Sequence, residues 1–310
     1  MLISLALSYF SCGHQDPSNR LNDQSMTVDW SNVNIKPVPK ILDQATTTVG
    51  PLPLTKNVEI TSTPKKGRVP TALILGPGGY RSLSHIALLK ELRLQSEEPS
   101  VIVGHGLASV IAAYYAFGYE PDYIEWKFFK FINELNGEEI FEKDWLELVK
   151  KKLVNELIGN RVEEGRLTLI IPTWSESKQR VVFHKRGDLG AILMANLDHK
   201  GILNKDLRPA FTFRTIGEKE IKDLGVNRII FVDLLINGIT WSRGSGFLNG
   251  IFEKAASVTL KSEAKADIMI SYPLKEYRID DLSQLADLVF KSKTIAKEKI
   301  QSLKSEKTNL

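Results

Sequence analysis

From Val69 onward, short β-branched and aliphatic runs alternate with longer stretches in which apolar residues recur every three or four positions. Ala72 to Leu75, Val101 to Val103, Leu167 to Ile171, Arg228 to Val232 and Asp267 to Ile270 have the length and composition of buried strands. Between them, Leu83 to Leu94, Ala108 to Phe117, Tyr123 to Leu135, Trp145 to Ile158 and Leu282 to Leu303 each gather their apolar side chains on one stripe of a helix. Strand and helix in alternation predict a mainly parallel sheet flanked by helices, since parallel neighbours need a crossover between them.

The first 68 residues break this pattern. Leu2 to Ser11 is an apolar run too short to span a bilayer, and it ends in Phe10-Ser11-Cys12-Gly13, the outline of a bacterial lipoprotein signal. From residue 13 to residue 68 the chain is rich in Asp, Asn, Ser, Thr and Pro, a composition that cannot offset its ordering entropy by burial. The expected organisation is therefore a signal over 1–12 with Cys12 as the lipid-attachment site, a linker over 13–68, a folded domain over 69–305 and a tail over 306–310. This implies a membrane partner through the Cys12 anchor and a place in the bacterial cell envelope. Gly13 leaves no aspartate to retain the protein at the inner membrane, which favours the outer one.

Charge and composition narrow the chemistry. The net charge is +4, and the last twenty residues alone carry six Lys against Glu298 and Glu306, so the body of the domain is not basic and a nucleic-acid partner is not indicated. Cys12 is the sole cysteine and the five His lack metal-ligand spacing, so neither a disulfide nor a metal site is expected, and no cofactor is implied.

Two turns carry the candidate chemistry. Leu73-Ile74-Leu75-Gly76-Pro77-Gly78-Gly79-Tyr80-Arg81 is a strand running into glycines and then a helix, a device that presents backbone N–H groups to an anion. A dinucleotide fingerprint would look similar, but Arg81 stands at its third glycine, and Glu97 and Glu98 precede the next strand instead of ending it. Val101-Ile102-Val103-Gly104-His105-Gly106-Leu107-Ala108-Ser109 reads as a strand, a sharp turn and a small-residue helix start.

Together these segments resemble the patatin-like phospholipase family: Gly78, Gly79 and Arg81 match its oxyanion turn, and Gly104 to Ala108 its nucleophile elbow of type G-x-S-x-G. Val181 to His184 with Gly187-Asp188-Leu189-Gly190-Ala191, then Leu224 to Asp233, then Ala266 to Pro273 resemble further segments of that family in the same order. The resemblance implies a three-layer α/β fold and a serine/aspartate dyad that hydrolyses lipid esters. Here Gly106 stands at the nucleophile position, and counting back from Leu224-Gly225 places the aspartate near Pro209-Ala210-Phe211, none of which is a base. Pro77 also removes one N–H donor, and Ser82 stands where the family has glycine. Asp206 and Asp233 are read as capping groups, and Arg81 as a brace for its turn or an anion ligand.

Three readings follow: a non-catalytic domain that binds lipid or a protein partner in the remnant cleft, a hydrolase rearranged around Ser82, Ser84 or Ser109 with His85 or His105, and a structural envelope lipoprotein. In the third, side chains such as Leu107, Tyr115 and Phe117 would fill the cleft.

Overall fold

The computed structural model describes residues 69–135, 140–240, 246–263 and 265–308. The proposed signal, Cys12 and linker lie outside them.

Seven strands form one sheet, in the order β4 (Arg180–His184), β3 (Thr168–Ser175), β2 (Val101–Gly104), β1 (Thr71–Leu75), β6 (Arg228–Asp233), β7 (Ile268–Ser271), with β5 (Leu207–Pro209) also on β3. The pairings β3–β2, β2–β1, β1–β6 and β6–β7 are parallel. β4 and β5 pair antiparallel with the distal half of β3. The fold is thus the expected α/β architecture, a mainly parallel central sheet flanked by helices.

Strand residues alternate between two cores. Leu73, Leu75, Ile102, Leu169, Ile171, Ile230 and Val232 face the larger one, with α1 (Ser84–Leu94), α2 (Leu107–Ala116), α3 (Pro121–Asn133), α4 (Lys143–Val149) and α5 (Leu189–Leu197). Ala72, Ile74, Val101, Val103, Ile170, Ile229 and Phe231 face the smaller one, closed by Ile216 and by Ile221 of α6 (Glu218–Lys222). Burial on both faces explains why β1 reads as a continuous apolar run instead of an alternating one. Helices α7 (Gly246–Glu263) and α8 (Leu285–Thr308) complete the order, and α8 packs along α1, where Ser292 Oγ donates to Ser84 Oγ at 2.8 Å. Among the described residues no helix is long and apolar enough to cross a membrane.

The helix expected over 145–158 is built differently. After α4 it widens into a π turn over Lys150–Val154 and tightens into a 3-10 turn over Asn155–Leu157. The buried Tyr114 hydroxyl donates to the Leu153 carbonyl at 2.6 Å, satisfying an acceptor within this irregular stretch.

The detail that positions the site is the length of β3. Its first residues pair with β2 up to Val103↔Ile170, and beyond that point β5 takes over with Thr173↔Pro209. β5 therefore occupies the lane that β2 vacates when it turns at Gly104. The chain leaving β5 at Pro209 runs back toward that turn.

Candidate functional site

The turn between β2 and α2 is a sharp elbow. Gly106 has φ 57° and ψ −131°, a combination that any side chain would strain. The close approach of α2 to the strand also demands small residues: a Cβ on Gly104 would lie 2.4 Å from the Ser109 Cα and 2.9 Å from the Ala112 Cβ. Backbone bonds close the turn, with Ala108 N–H donating to the His105 carbonyl at 3.1 Å and Ser109 N–H to the Gly106 carbonyl at 2.9 Å. The Ser109 hydroxyl also donates to the Gly106 carbonyl, at 2.7 Å.

Asn196, buried in the otherwise apolar α5, clamps the elbow from below: its Nδ2 donates to the Gly104 carbonyl at 3.3 Å and its Oδ1 accepts from Gly106 N–H at 3.4 Å. His105 Nε2 donates to the Thr215 carbonyl at 2.7 Å. That bond fixes the proton on Nε2 and leaves Nδ1 as the lone-pair nitrogen. Burial pushes the His105 pKa down to about 4, so the ring is neutral at pH 7.

The residue facing Gly106 is Phe211. A Cβ at position 106 would sit 3.3 Å from Phe211 Cε1, tighter than ordinary contact. The ring belongs to an aromatic cluster with His199 (centroids 5.1 Å apart) and Phe252 of α7 (5.5 Å), and Phe141 lies 4.3 Å from His199. His199 is buried and its pKa is pushed down to about 3 by desolvation, with Asp198 opposing the shift. The β5 lane thus brings the Pro209-Ala210-Phe211 segment to the elbow, and what it delivers there is a hydrocarbon ring. Leu107, Tyr115 and Phe117 do not play this part: they pack in or against the large core, and the Tyr115 hydroxyl reaches away to Glu98.

The glycine-rich turn is a 3-10 turn over Gly79–Leu83 leading into α1. Three of its N–H groups have internal partners: Gly76 on the Val232 carbonyl at 3.0 Å, Tyr80 on Ile279 at 2.8 Å and Arg81 on Gly78 at 3.0 Å. Gly79, at φ 55°, is pressed so closely that a Cβ would lie 2.3 Å from the Ile279 carbonyl oxygen. Arg81 is fully buried, and its guanidinium donates to the carbonyls of Tyr277 (2.7 Å), Leu234 (3.0 Å), Gly238 (2.8 Å) and Lys275 (3.5 Å). It ties the glycine turn to the loops after β6 and β7, a bracing role in place of anion binding. Desolvation lowers its pKa to about 10, partly offset by Glu276 and Asp233, and the group stays charged.

Ser82, Ser84, His85 and Ser109 are all fully buried. His85 Nε2 donates to the Gly76 carbonyl at 2.9 Å, and its pKa is pushed down to about 4 by desolvation. Asp206 accepts from Ser177 N–H at 2.6 Å and from the Ser175 hydroxyl at 3.2 Å, capping the β3–β4 hairpin. Asp233 accepts from Leu235 N–H at 3.0 Å and Ile236 N–H at 2.8 Å, capping the turn after β6. Asn196, His199 and Phe252 are site residues that pattern reading does not single out. Of these, only Asn196 leaves a signal, an amide within the apolar Leu189-Gly190-Ala191-Ile192-Leu193-Met194-Ala195-Asn196-Leu197.

The sequence matches no protein-family model. Among solved structures, the chain is similar to the type III effector protein ExoU, at TM-score 0.41 and 11% identity over 75% of this chain and 53% of that one. It is likewise similar to a structure of full-length SpcU in complex with full-length ExoU from the type III secretion system of Pseudomonas aeruginosa, at TM-score 0.39 and 12% identity over 76% and 53% of the two chains. This chain spans about half the length of the solved structures it matches.

Proposed function

We propose that this chain is a patatin-like domain that has lost hydrolysis and acts by binding, tethered to a bacterial envelope membrane through lipid on Cys12. The observation that carries the reading is the pairing of Gly106, in a left-handed elbow geometry and without a nucleophile, with the Phe211 ring against it. A serine hydroxyl needs a base within hydrogen-bond reach. What faces position 106 is an aromatic ring, and burial pushes the pKa values of the His105 and His85 imidazoles, each holding Nε2–H on a backbone carbonyl, down to about 4, which makes them weak bases. Ser82, Ser84 and Ser109, the alternative nucleophiles, are buried, and the Ser109 hydroxyl is turned onto the Gly106 carbonyl.

Incubation of the full chain with a fluorophosphonate and with short- and long-chain esters tests this. The expected result is no label and no hydrolysis above buffer. A stoichiometric adduct on Ser82, Ser84 or Ser109 overturns the reading in favour of a rearranged hydrolase.

A further inference from the structure

Away from the elbow, the segment between α5 and β5 is built to display two aliphatic side chains. Asp198, fully buried, accepts from Ile202 N–H (2.8 Å), Leu203 N–H (2.5 Å) and Asn204 N–H (3.2 Å). Asn204 Oδ1 in turn accepts from Asp206 N–H (2.9 Å) and Leu207 N–H (3.0 Å). The backbone of the loop is satisfied internally, while Ile202 and Leu203 stand 41% and 48% exposed. Lys200 and Lys205 flank them.

The loop continues into an aromatic and basic strip. A Cβ on Gly201 would lie 3.4 Å from an Arg208 guanidinium nitrogen, and Arg208 is the cross-strand partner of Trp174. The Trp174 ring stacks on Phe213 at 3.9 Å with 7° between planes, and Lys254 of α7 holds its ammonium 4.5 Å from the Phe213 centroid. Lys178 and Arg180, both exposed, lie on the β3–β4 hairpin, Arg180 across from Ser175 and so on the other sheet face from Trp174. The carboxylates in the strip are committed: Glu176 pairs with Arg208, Glu142 with Lys200, and Asp206 caps the hairpin.

We propose that this strip docks on an anionic lipid surface, with Ile202, Leu203 and Phe213 entering the acyl boundary and Lys205 and Lys254 at headgroup level. Ile202, Leu203 and Phe213 are exposed large hydrophobic side chains of the kind that mark an interaction surface. A lysine lying over an aromatic ring suits the membrane interface, where the ring enters the apolar layer and the ammonium stays in water among phosphates. The rigid loop removes the ordering cost that a flexible one would incur on insertion. The inference does not depend on whether the elbow hydrolyses anything.

The test uses the full chain carrying Cys12→Ser and Leu203→Cys, labelled with an environment-sensitive fluorophore. The matching control carries the label at Leu224→Cys, an exposed position near the opposite, N-terminal ends of β1 and β6. With vesicles of phosphatidylcholine and phosphatidylglycerol the label at 203 shifts to the blue, the control label does not, and added salt reverses the shift. Adding Ile202→Asp with Lys254→Glu weakens vesicle partition by on the order of tenfold or more. The proposal is overturned by an unmoved label at 203, including the case where the chain binds vesicles through another segment. It is equally overturned by an equal shift on neutral vesicles, or by a concentration-dependent shift without vesicles, which would make the strip a contact between copies.

Discussion

Placing a single methyl group on Gly106 interrogates the elbow directly. With φ 57° and ψ −131°, any L side chain at this position carries backbone strain of about 1–3 kcal/mol. The added Cβ would also meet Phe211 Cε1 at 3.3 Å, so the ring must shift by a few tenths of an ångström within its cluster of His199 and Phe252. Against these costs, Gly106→Ala stiffens the unfolded chain by roughly 0.4–1 kcal/mol. The balance is a net loss of up to about 3 kcal/mol, read as a lower urea midpoint at unchanged m-value. Phe211→Ala alone removes a buried ring and costs about 3–5 kcal/mol. In the double variant the ring no longer opposes the new methyl, so the combined loss falls short of the sum, with a coupling on the order of 0.5 kcal/mol or more. A neutral or stabilising Gly106→Ala would refute the strained elbow, and strict additivity with Phe211→Ala would refute the contact.

Two further outcomes are expected. His85, His105 and His199 have pKa values pushed down to about 4, 4 and 3, below the 6.5 of the unfolded chain, so the unfolded state protonates first as the pH falls. Their contribution to stability is full above pH 6.5 and is lost toward pH 4, at about 1.4 kcal/mol per pH unit for each proton taken up; urea midpoints that stay flat through this window contradict it, and His199→Phe should remove one proton from the uptake. Separately, metabolic labelling with a fatty-acid probe in a bacterial host should mark the wild-type chain and not Cys12→Ser; equal labelling of the two rules out Cys12 as the anchor point.

The parallel core was legible because its strands are buried on both faces and so stand out as apolar runs. Ala72 to Leu75 and Arg228 to Val232 fall within one residue of β1 and β6 at each end. The strands β4 and β5 leave a weaker trace, since they pair only with the distal half of β3 and keep most residues partly exposed. The elbow was legible from glycine spacing, because Gly104 and Gly106 answer to backbone geometry and close approach, which are local. What faces the elbow was harder to read. Phe211, His199 and Phe252 come from the exit of β5, the segment after α5 and the body of α7, and their convergence depends on β5 taking the lane beyond β2.

The elbow geometry has a physical reason independent of catalysis. The β2–α2 turn directs α2, buried along its whole length, into the large core, and three partners hold it: Asn196 on Gly104 and Gly106, Ser109 on the Gly106 carbonyl, and His105 on Thr215. Relaxing the turn would displace α2 and leave these buried polar groups unpaired, at about 1–3 kcal/mol for each group. Glycine at 106 accepts the same backbone at little conformational cost. Glycine at this position keeps the turn without strain, and Phe211 closes over the space beside it. The two residues reinforce one another: Phe211 crowds any side chain at 106, while a glycine at 106 lets the ring settle into the His199 and Phe252 cluster.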